Sequence, residues 1–587
     1  MPASVDTFSN YGISTILGGA GGSGTQLGAA DTSLLLPTGN GNNFPISGPP
    51  FMVQLGTVSG AHELVKCTAR ATDTLTIVRG QENTGAQIWP VGTPVQQVVT
   101  NGNMVDLWKA SPGVFNVMAS YGGQPGATGD GVTNDTNAIN NAIAAAGAAG
   151  GGIVEFPPGT YQVSSPLTLS TAQVRLRGCG LASWIRPTAG FTGAQVILIT
   201  ANFCGVIDLQ IQGTSGTYSS NPAANGIQIT GAVGTLLQNL YIQAINGWAV
   251  QSSATAGQAN FNTVMSNVRA FQGAQGFHLL GVTGSGFNGV HFLRDCYANQ
   301  TENGDCYFFE DVHDVVVSNI FGETAAGSGN SVHIKGACAS IYLSNADIGP
   351  FPGPATAATV LIESGANGSP TQVVINGGII EGGSSGVNIT AGTNIAIANC
   401  HIYNCGTFGI NLSGACDAIL VTGCLFEANG SAGTTGRYDL ITVTSGHVEI
   451  TGCYFATPQG STAGKTNNAI FSSTGTVYVQ GCAFYGTGYN SGNIFGSNPS
   501  VVRNCPGLNP IGAITAPTIG ASPFTAPIQN FDMSVYIVGG TVSVISVGGV
   551  ATGFTLAAGG QATVRVPAGQ ALAITYTAAP TWKWFGE

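Results

Sequence analysis

The sequence predicts an all-β chain, a right-handed parallel β-helix (a solenoid) with small β-domains at its two ends. Three observations lead there. A short motif recurs twelve times between Asp208 and Asn504, at steps of 22 to 32 residues. Apolar and polar residues alternate with period two on both sides of it. Glycine takes 89 of 587 positions, about twice ordinary usage, while hydrophobic residues hold 43% and charged ones 7%. A disordered chain would be polar and charge-rich. This one has strand to bury and many tight turns to make.

The totals exclude several classes of function. With 15 Lys+Arg against 26 Asp+Glu and a net charge of −11, the chain lacks the basic clusters that nucleic acid or an anionic membrane surface would require. The 13 cysteines are scattered singly, with no CxxC pair. No metal site is therefore read, and no cofactor is implied. The cysteines read as reduced core thiols of a protein made in a cytoplasm. The opening MPASVDTFSNYGIS has neither the basic start nor the apolar core of a secretory signal. No run of 18 apolar residues exists, so no membrane insertion is expected.

Entry to the solenoid is read at 121–169. Asp135 or Thr136 can cap the helix TNAINNAIAAAG, glycines 147 to 152 end it, and IVEF and YQVSSPLTL follow as strands about the turn PPGT. Such a helix would plug the open end of a β-helix. Asp130 and Asp135 lack EF-hand spacing and read as capping residues.

The coils come next. Their turn markers are Asp208, Asn239, Asn267, Asp295, Asn319, Asn345, Gly377, Asn399, Gly423, Gly452, Gly481 and Asn504. Fixed Leu positions and helical spacing are absent, and variable coil length fits loops bulging from one side. Identical positions should stack about 4.8 Å apart. Positions one and three after the marker, with Cys400, Cys424, Cys453, Cys482, Ile402, Phe426 and Phe455 among them, should face inward. Stacked parallel cysteines rarely meet disulfide geometry.

Positions two and four should face out. From Tyr297 onward they carry aromatics and carboxylates without Lys or Arg. A polysaccharide needs such a face, with rings under its CH faces and acids on its hydroxyls. Glu323, Asp347 and Glu381 lie on three successive coils. That spacing suits the paired carboxyls of glycoside hydrolysis, and stacking raises an acid's pKa as a general acid requires. These three are the candidate catalytic residues. Tyr297, Phe321, His401, Tyr403, Glu427 and Tyr454 are the candidate sugar binders. A second acid cluster, ENGDCYFFEDVHD at 302–314, reads as a loop and turn flanking the groove. Lyase chemistry would need a base and a cation beside a uronate carboxylate. His278, His291, His313, His333 and His401 could be bases. Only Arg269, Arg294 and Lys335 are nearby cations, which ranks lyase second.

GATGDGVTNDTNAINNAI…GGIVEFPPGTYQV closely resembles the opening of pectate-lyase-like β-helix domains, found in bacteriophage tailspikes and secreted polysaccharide-cleaving enzymes. LTIVRGQENTGAQIWPVGTPVQQVVT (75–100) resembles a small β module near the N-termini of phage tail fibres and tailspikes, and NMVDLWKA (103–110) looks like a short helical neck. SVYIVGGTVSVISVGGVATGF…WKWFGE (534–587) resembles a terminal β-domain of phage tail proteins. The boundaries follow: 1–110 attachment module and neck, 111–508 β-helix, 509–527 Pro-rich linker, 528–587 C-terminal β-domain.

The resemblance implies a phage tailspike, made in the host cytoplasm and carried in the virion tail. It implies a homotrimer joined to the baseplate or tail through its N-terminal module. The expected function is binding and depolymerisation of a bacterial surface polysaccharide (capsule, exopolysaccharide or O-antigen), by hydrolysis with groove carboxylates. A lyase and a non-enzymatic adhesin are the alternatives.

Overall fold

Every one of the twelve marker residues takes a left-handed backbone, with φ from 51° to 75°. Asn, Asp and Gly are the residues that enter this region at least cost. That preference is why a marker could recur in the sequence at all. The computed structural model describes residues 13–45, 50–57, 60–100, 113–213, 215–254, 257–281, 288–301, 304–325, 329–351, 356–430, 436–443, 446–456, 468–485, 495, 499–506 and 511–587. It is nearly all β, with a parallel β-solenoid of about 11 turns and small sheets towards both ends. The chain divides into two units, 1–126 with 144–155, and 127–143 with 156–587.

In the second unit each coil has three strands. One coil reads His313–Ser318, then the marker Asn319, then Phe321–Ala325, then Val332–Lys335. We call the three resulting sheets leading, trailing and return. The position-two column of the trailing sheet is continuous from coil to coil: Tyr297 pairs Phe321, Phe321 pairs Asp347, Asp347 pairs Ile379, and the column continues through His401, Leu425, Tyr454 and Ala483. Counting from the marker therefore gives the true neighbours.

Side chains bind the markers to one another. Asn239 Nδ2 donates to Asp208 (2.9 Å), Asn267 to Asn239 (3.0 Å), Asn319 to Asp295 and Asn345 to Asn319 (both 3.3 Å). Each bond satisfies a turn group that strand pairing leaves over. At 377–378 the marker is followed by a second glycine, with φ 101°. A Cβ on Gly378 would lie 2.1 Å from the Ala346 carbonyl oxygen, so no other residue fits.

The interior is as read. Cys400, Cys424, Cys453, Cys482 and Cys505 are buried, and none of them forms a disulfide. Beside them Phe426 stacks on Phe455 at 4.7 Å, and Phe455 on Phe484 at 5.0 Å. Among the described residues no helix is long and apolar enough to cross a membrane.

The helix spans Thr136–Ala148. Its first carbonyl, that of Asp135, accepts from Ile139 N–H at 3.0 Å. Asp135 thus holds the cap position, but its carboxylate turns away and accepts the N–H groups of Thr128 (2.8 Å) and Gly129 (3.2 Å). Asp130 accepts from Thr133 and Val132 N–H, and those bonds draw its pKa down to about 2. Both aspartates shape the loop before the helix.

In the first unit an eight-stranded antiparallel sheet runs through residues 13–97 around Leu34, Phe51, Val53, Leu75 and Ile77. Its one fully buried carboxylate, Glu63, takes Arg79 on both oxygens (2.8 and 2.7 Å), Trp89 Nε1 (2.8 Å), and the N–H groups of Gly80 and Gln87 (2.9 and 3.1 Å). Burial alone would raise its pKa; these five donors outweigh it and lower it. The stretch RGQENTGAQIW is thus a shell folded around one acid. The helical neck at 103–110 lies outside the described residues.

The Pro-rich stretch 509–527 is more than a linker. It supplies Gly512–Ile514, paired with Thr581–Gly586, and Phe524–Thr525, paired with Leu572–Ala578. Short edge strands tolerate flanking prolines, because only one side must donate to the ladder. Two four-stranded antiparallel sheets result, packed on Val535, Ile537, Ile545, Val566, Ile574 and Trp584.

Candidate active site

The trailing sheet brings the three predicted acids together. Phe321 and Asp347 are register partners at position two, and Glu323 and Gly349 at position four. Glu381 stands one coil beyond Gly349. A Cβ on Gly349 would lie 2.7 Å from Glu381 Cγ. The missing side chain is the space into which Glu381 leans, towards Glu323. Glu323 and Glu381 are half-buried and Asp347 is exposed.

Among the described residues no Lys or Arg forms an ion pair with this cluster. Burial first, and then repulsion from Glu381 and Asp347, raises the Glu323 pKa against one opposing hydrogen bond, from Asn299 Nδ2 at 3.0 Å. Burial and Glu381 raise Asp347 likewise. Tyr403 hydrogen-bonds Glu381, and that bond, with burial and the charges of Glu381, Asp347 and Glu427, pushes its hydroxyl up to about 12. A carboxyl whose pKa is raised, as at Glu323 and Asp347, is the kind a general acid requires.

The predicted binders flank the acids. Tyr297 stacks on Phe321 with ring centres 4.5 Å apart, and His401 on Tyr403 at 4.7 Å. His401 Nε2 lies 3.1 Å from Glu427 Oε2, so Glu427 orients the imidazole. Tyr454 is exposed two coils beyond His401, past Leu425. All nine residues therefore share one column pair on one face.

A second constellation lies on the return sheet. Trp248, His278, Phe308 and His333 form a stack of rings, with centres 4.7, 4.6 and 4.4 Å apart. His333 is held at both nitrogens, by Asp305 at 2.8 Å and Glu363 at 3.2 Å. Asp305 also accepts the Asn330 N–H at 2.7 Å. Glu310 lies 3.4 Å from His278 Nε2 and 3.8 Å from Lys335 Nζ. Burial drives His278 down to about 4, so its ring is neutral at pH 7.

The segment 304–314 thus differs from its sequence reading as a loop beside the groove. Tyr307–Glu310 is a return strand, and its acid stands on another face; Glu302 lies outside the described residues. Sequence reading named His278, His333 and Lys335 but did not bring them together. The signal was present in four tetrads, FHLL, YFFE, VHIK and VLIE, which the register aligns residue for residue. His291 and His401 fall elsewhere, His291 fully buried with burial holding it down to about 3. Among the described residues, no group of three or more His, Cys, Asp or Glu is placed to hold a metal ion.

Residues 116–351 match the family model described as rhamnogalacturonase A/epimerase, pectate lyase-like. A 110-residue stretch is 36% identical to mannuronan C5-epimerase AlgE1 of Azotobacter vinelandii, covering 16% of this chain and 8% of that protein. Among solved structures, the A-module of mannuronan C-5 epimerase AlgE4 from the same organism aligns with TM-score 0.41 at 16% identity, over 65% of this chain and 93% of that one. Tailspike gp49 of Pseudomonas phage LKA1 aligns with TM-score 0.39 at 13% identity, over 78% and 97%. The N-terminal fragment of bacteriophage phi29 gene product 12 aligns with TM-score 0.43 at 14% identity, over 65% and 69%.

Proposed function

We propose that this chain, whose solenoid carries a pectate-lyase-like segment, is a phage tailspike that binds a bacterial surface polysaccharide along the trailing sheet and hydrolyses it there. The observation that carries the reading is the cluster of Glu323, Asp347 and Glu381, unneutralised and flanked on both sides by stacked rings. One acid, kept protonated by its neighbours, donates to the leaving oxygen. Another acts on the anomeric carbon or on a water. Tyr297, Phe321, His401, Tyr403 and Tyr454 give the sugar rings their platforms, and Glu427 fixes His401. Host and linkage are to be found with a panel of capsules and lipopolysaccharides, following polymer size, new reducing ends and the ultraviolet absorbance of unsaturated uronates together. Shortening with reducing ends and no absorbance is expected. Unchanged cleavage after each acid is replaced by its amide would overturn the site. Binding without shortening, on a panel containing the host, would leave an adhesin.

The return-sheet constellation favours a second reading, a lyase. His333, oriented by Asp305 at Nδ1, would serve as the base once substrate displaces Glu363 from Nε2. Lys335, two residues along the same strand and on the same side of it, is the cation that would meet a uronate carboxylate. Appearance of unsaturated uronates, lost in His333→Gln, would establish it.

The proposed trimer has a surface to use. The outward column of the leading sheet runs Leu236, Val264, Phe292, Val316, Tyr342, Val374, Ala396, Leu420. It is uncharged over eight coils, and Val316, Tyr342 and Leu420 are exposed. Contiguous exposed apolar surface on this scale marks an interface. Attachment to the phage tail is assigned to the N-terminal module. Sedimentation of the full chain tests the trimer, with Tyr342→Lys expected to dissociate it.

A further inference from the structure

The trailing column extends in the N-terminal direction past Tyr297. Its next members are Arg269 and Tyr241, register partners in turn. Arg269 is thus the cation that a count begun at Asp295 leaves out, at position two after the marker Asn267. It stands on the face that carries the acids, three coils from Asp347, or about 14 Å at the usual strand spacing.

The side chain is held. Its Nε donates to Asn267 Oδ1 at 3.3 Å, Asn267 donates to Asn239, and Asn239 to Asp208. The first run of the marker ladder therefore ends on this guanidinium and fixes one edge of it. Among the described residues no hydrogen bond or ion pair reaches its two terminal nitrogens, although the chain has far more acids than bases. Arg269, Tyr241, Asn239 and Asn267 line a cleft of about 360 Å³, with Leu181 at its rim, 65% exposed. Tyr241 is braced by Phe271, ring centres 6.1 Å apart. Burial raises the hydroxyls of Tyr241 and Tyr297, and Arg269 opposes the rise in both, so its charge reaches the coil on either side.

We infer that this cleft is a subsite for a carboxylate-bearing sugar unit, with the Arg269 fork on the carboxylate and Tyr241 under the ring. The inference rests on the trailing-sheet groove as the polymer's path, and it names the class of polymer. A planar fork whose two terminal nitrogens form one free edge suits a carboxylate held through paired N–H donors. One such fork on an otherwise acidic face suits a polymer with one acidic unit per repeat. Polymers acidic at every unit would be repelled two to four coils on, at Glu323, Asp347 and Glu381. Specificity is then geometric: the acidic unit lies about 14 Å along the groove from the bond that breaks.

The test titrates a glucuronate-containing tetrasaccharide, and the same tetrasaccharide with its carboxyl reduced to the alcohol, into the full chain and into Arg269→Gln and Arg269→Lys. Wild type should prefer the acidic form by about ten- to hundred-fold, the worth of a charge-assisted hydrogen-bonded pair. Arg269→Gln should bind both forms alike, and Arg269→Lys should recover part of the preference. Equal binding of the two forms by wild type, or an undiminished preference in a folded Arg269→Gln, overturns the subsite. Glu381→Gln run beside them separates the two ideas. If it and the amide variants of Glu323 and Asp347 all cleave normally, the groove chemistry fails, whatever Arg269 does. If it is inactive while Arg269→Gln keeps its preference, only the subsite fails.

Discussion

The trailing and return sheets hold similar sets of side chains, acids beside stacked rings, and differ in what neutralises the acids. On the return sheet Asp305 and Glu363 close on His333, and Glu310 stands beside the Lys335 ammonium. On the trailing sheet Glu323, Asp347 and Glu381 face one another, and Arg269 stands two coils from Glu323 and three from Asp347. Pairing makes a carboxylate contribute to stability; crowding makes it a strain on the fold and a reservoir of protons. The difference separates a constellation that holds itself together from one that waits for a ligand.

The largest expected effect would break that comparison outright. Glu381→Gln should lower cleavage by about 10²- to 10⁴-fold, the usual worth of a general acid or base, measured as reducing ends on the sensitive polymer. If His333→Gln shows that loss and Glu381→Gln none, the roles of the two sheets are exchanged. Next comes Glu63, the fully paired extreme. Glu63→Ala leaves Arg79 buried and unpaired, and should cost about 3–5 kcal/mol in denaturant unfolding of the N-terminal unit. Asp305→Asn, at a half-buried pair, should cost about 1–3 kcal/mol, whereas Glu323→Gln at pH 8 should raise the melting temperature.

The smallest effects sharpen the contrast through pH. Glu323 and Asp347 have raised folded pKa values, so the folded state keeps protons that the unfolded chain gives up. Stability falls as pH rises from the ordinary carboxylate range through their folded values, and the double amide should flatten that part of the melting profile. His278 has the opposite sign. Its neutral folded form is favourable above the ordinary histidine pKa of about 6.5, and the advantage is lost as pH falls towards about 4. His278→Gln should remove the slope in that window.

Much of this was legible because Asn, Asp and Gly mark left-handed turns. Once Asn319 and Asn345 are aligned, Phe321 must neighbour Asp347, whatever loop lies between. Return strands have no such residue to count from. Loops of unequal length separate YFFE from VHIK and VLIE, so Asp305, His333 and Glu363 came together only in the fold. Glu63 was hidden for a related reason. Antiparallel pairing brings Arg79 and Trp89 to it from 16 and 26 residues away, with no repeat to announce the meeting. Proline misled in its own way, since 509–527 reads as a spacer until two partner strands offer it edges.

The marker ladder also has an evolutionary reading. A coil begins and ends on interchangeable residues, so whole coils can be lost or duplicated between markers without disturbing the register on either side. Removing the 26 residues from Asn319 to the residue before Asn345 would bring Arg269 one step nearer the remaining acids. On the function proposed above, a lineage meeting a polymer that repeats at a different length would have that kind of change open to it, by recombination in a single event.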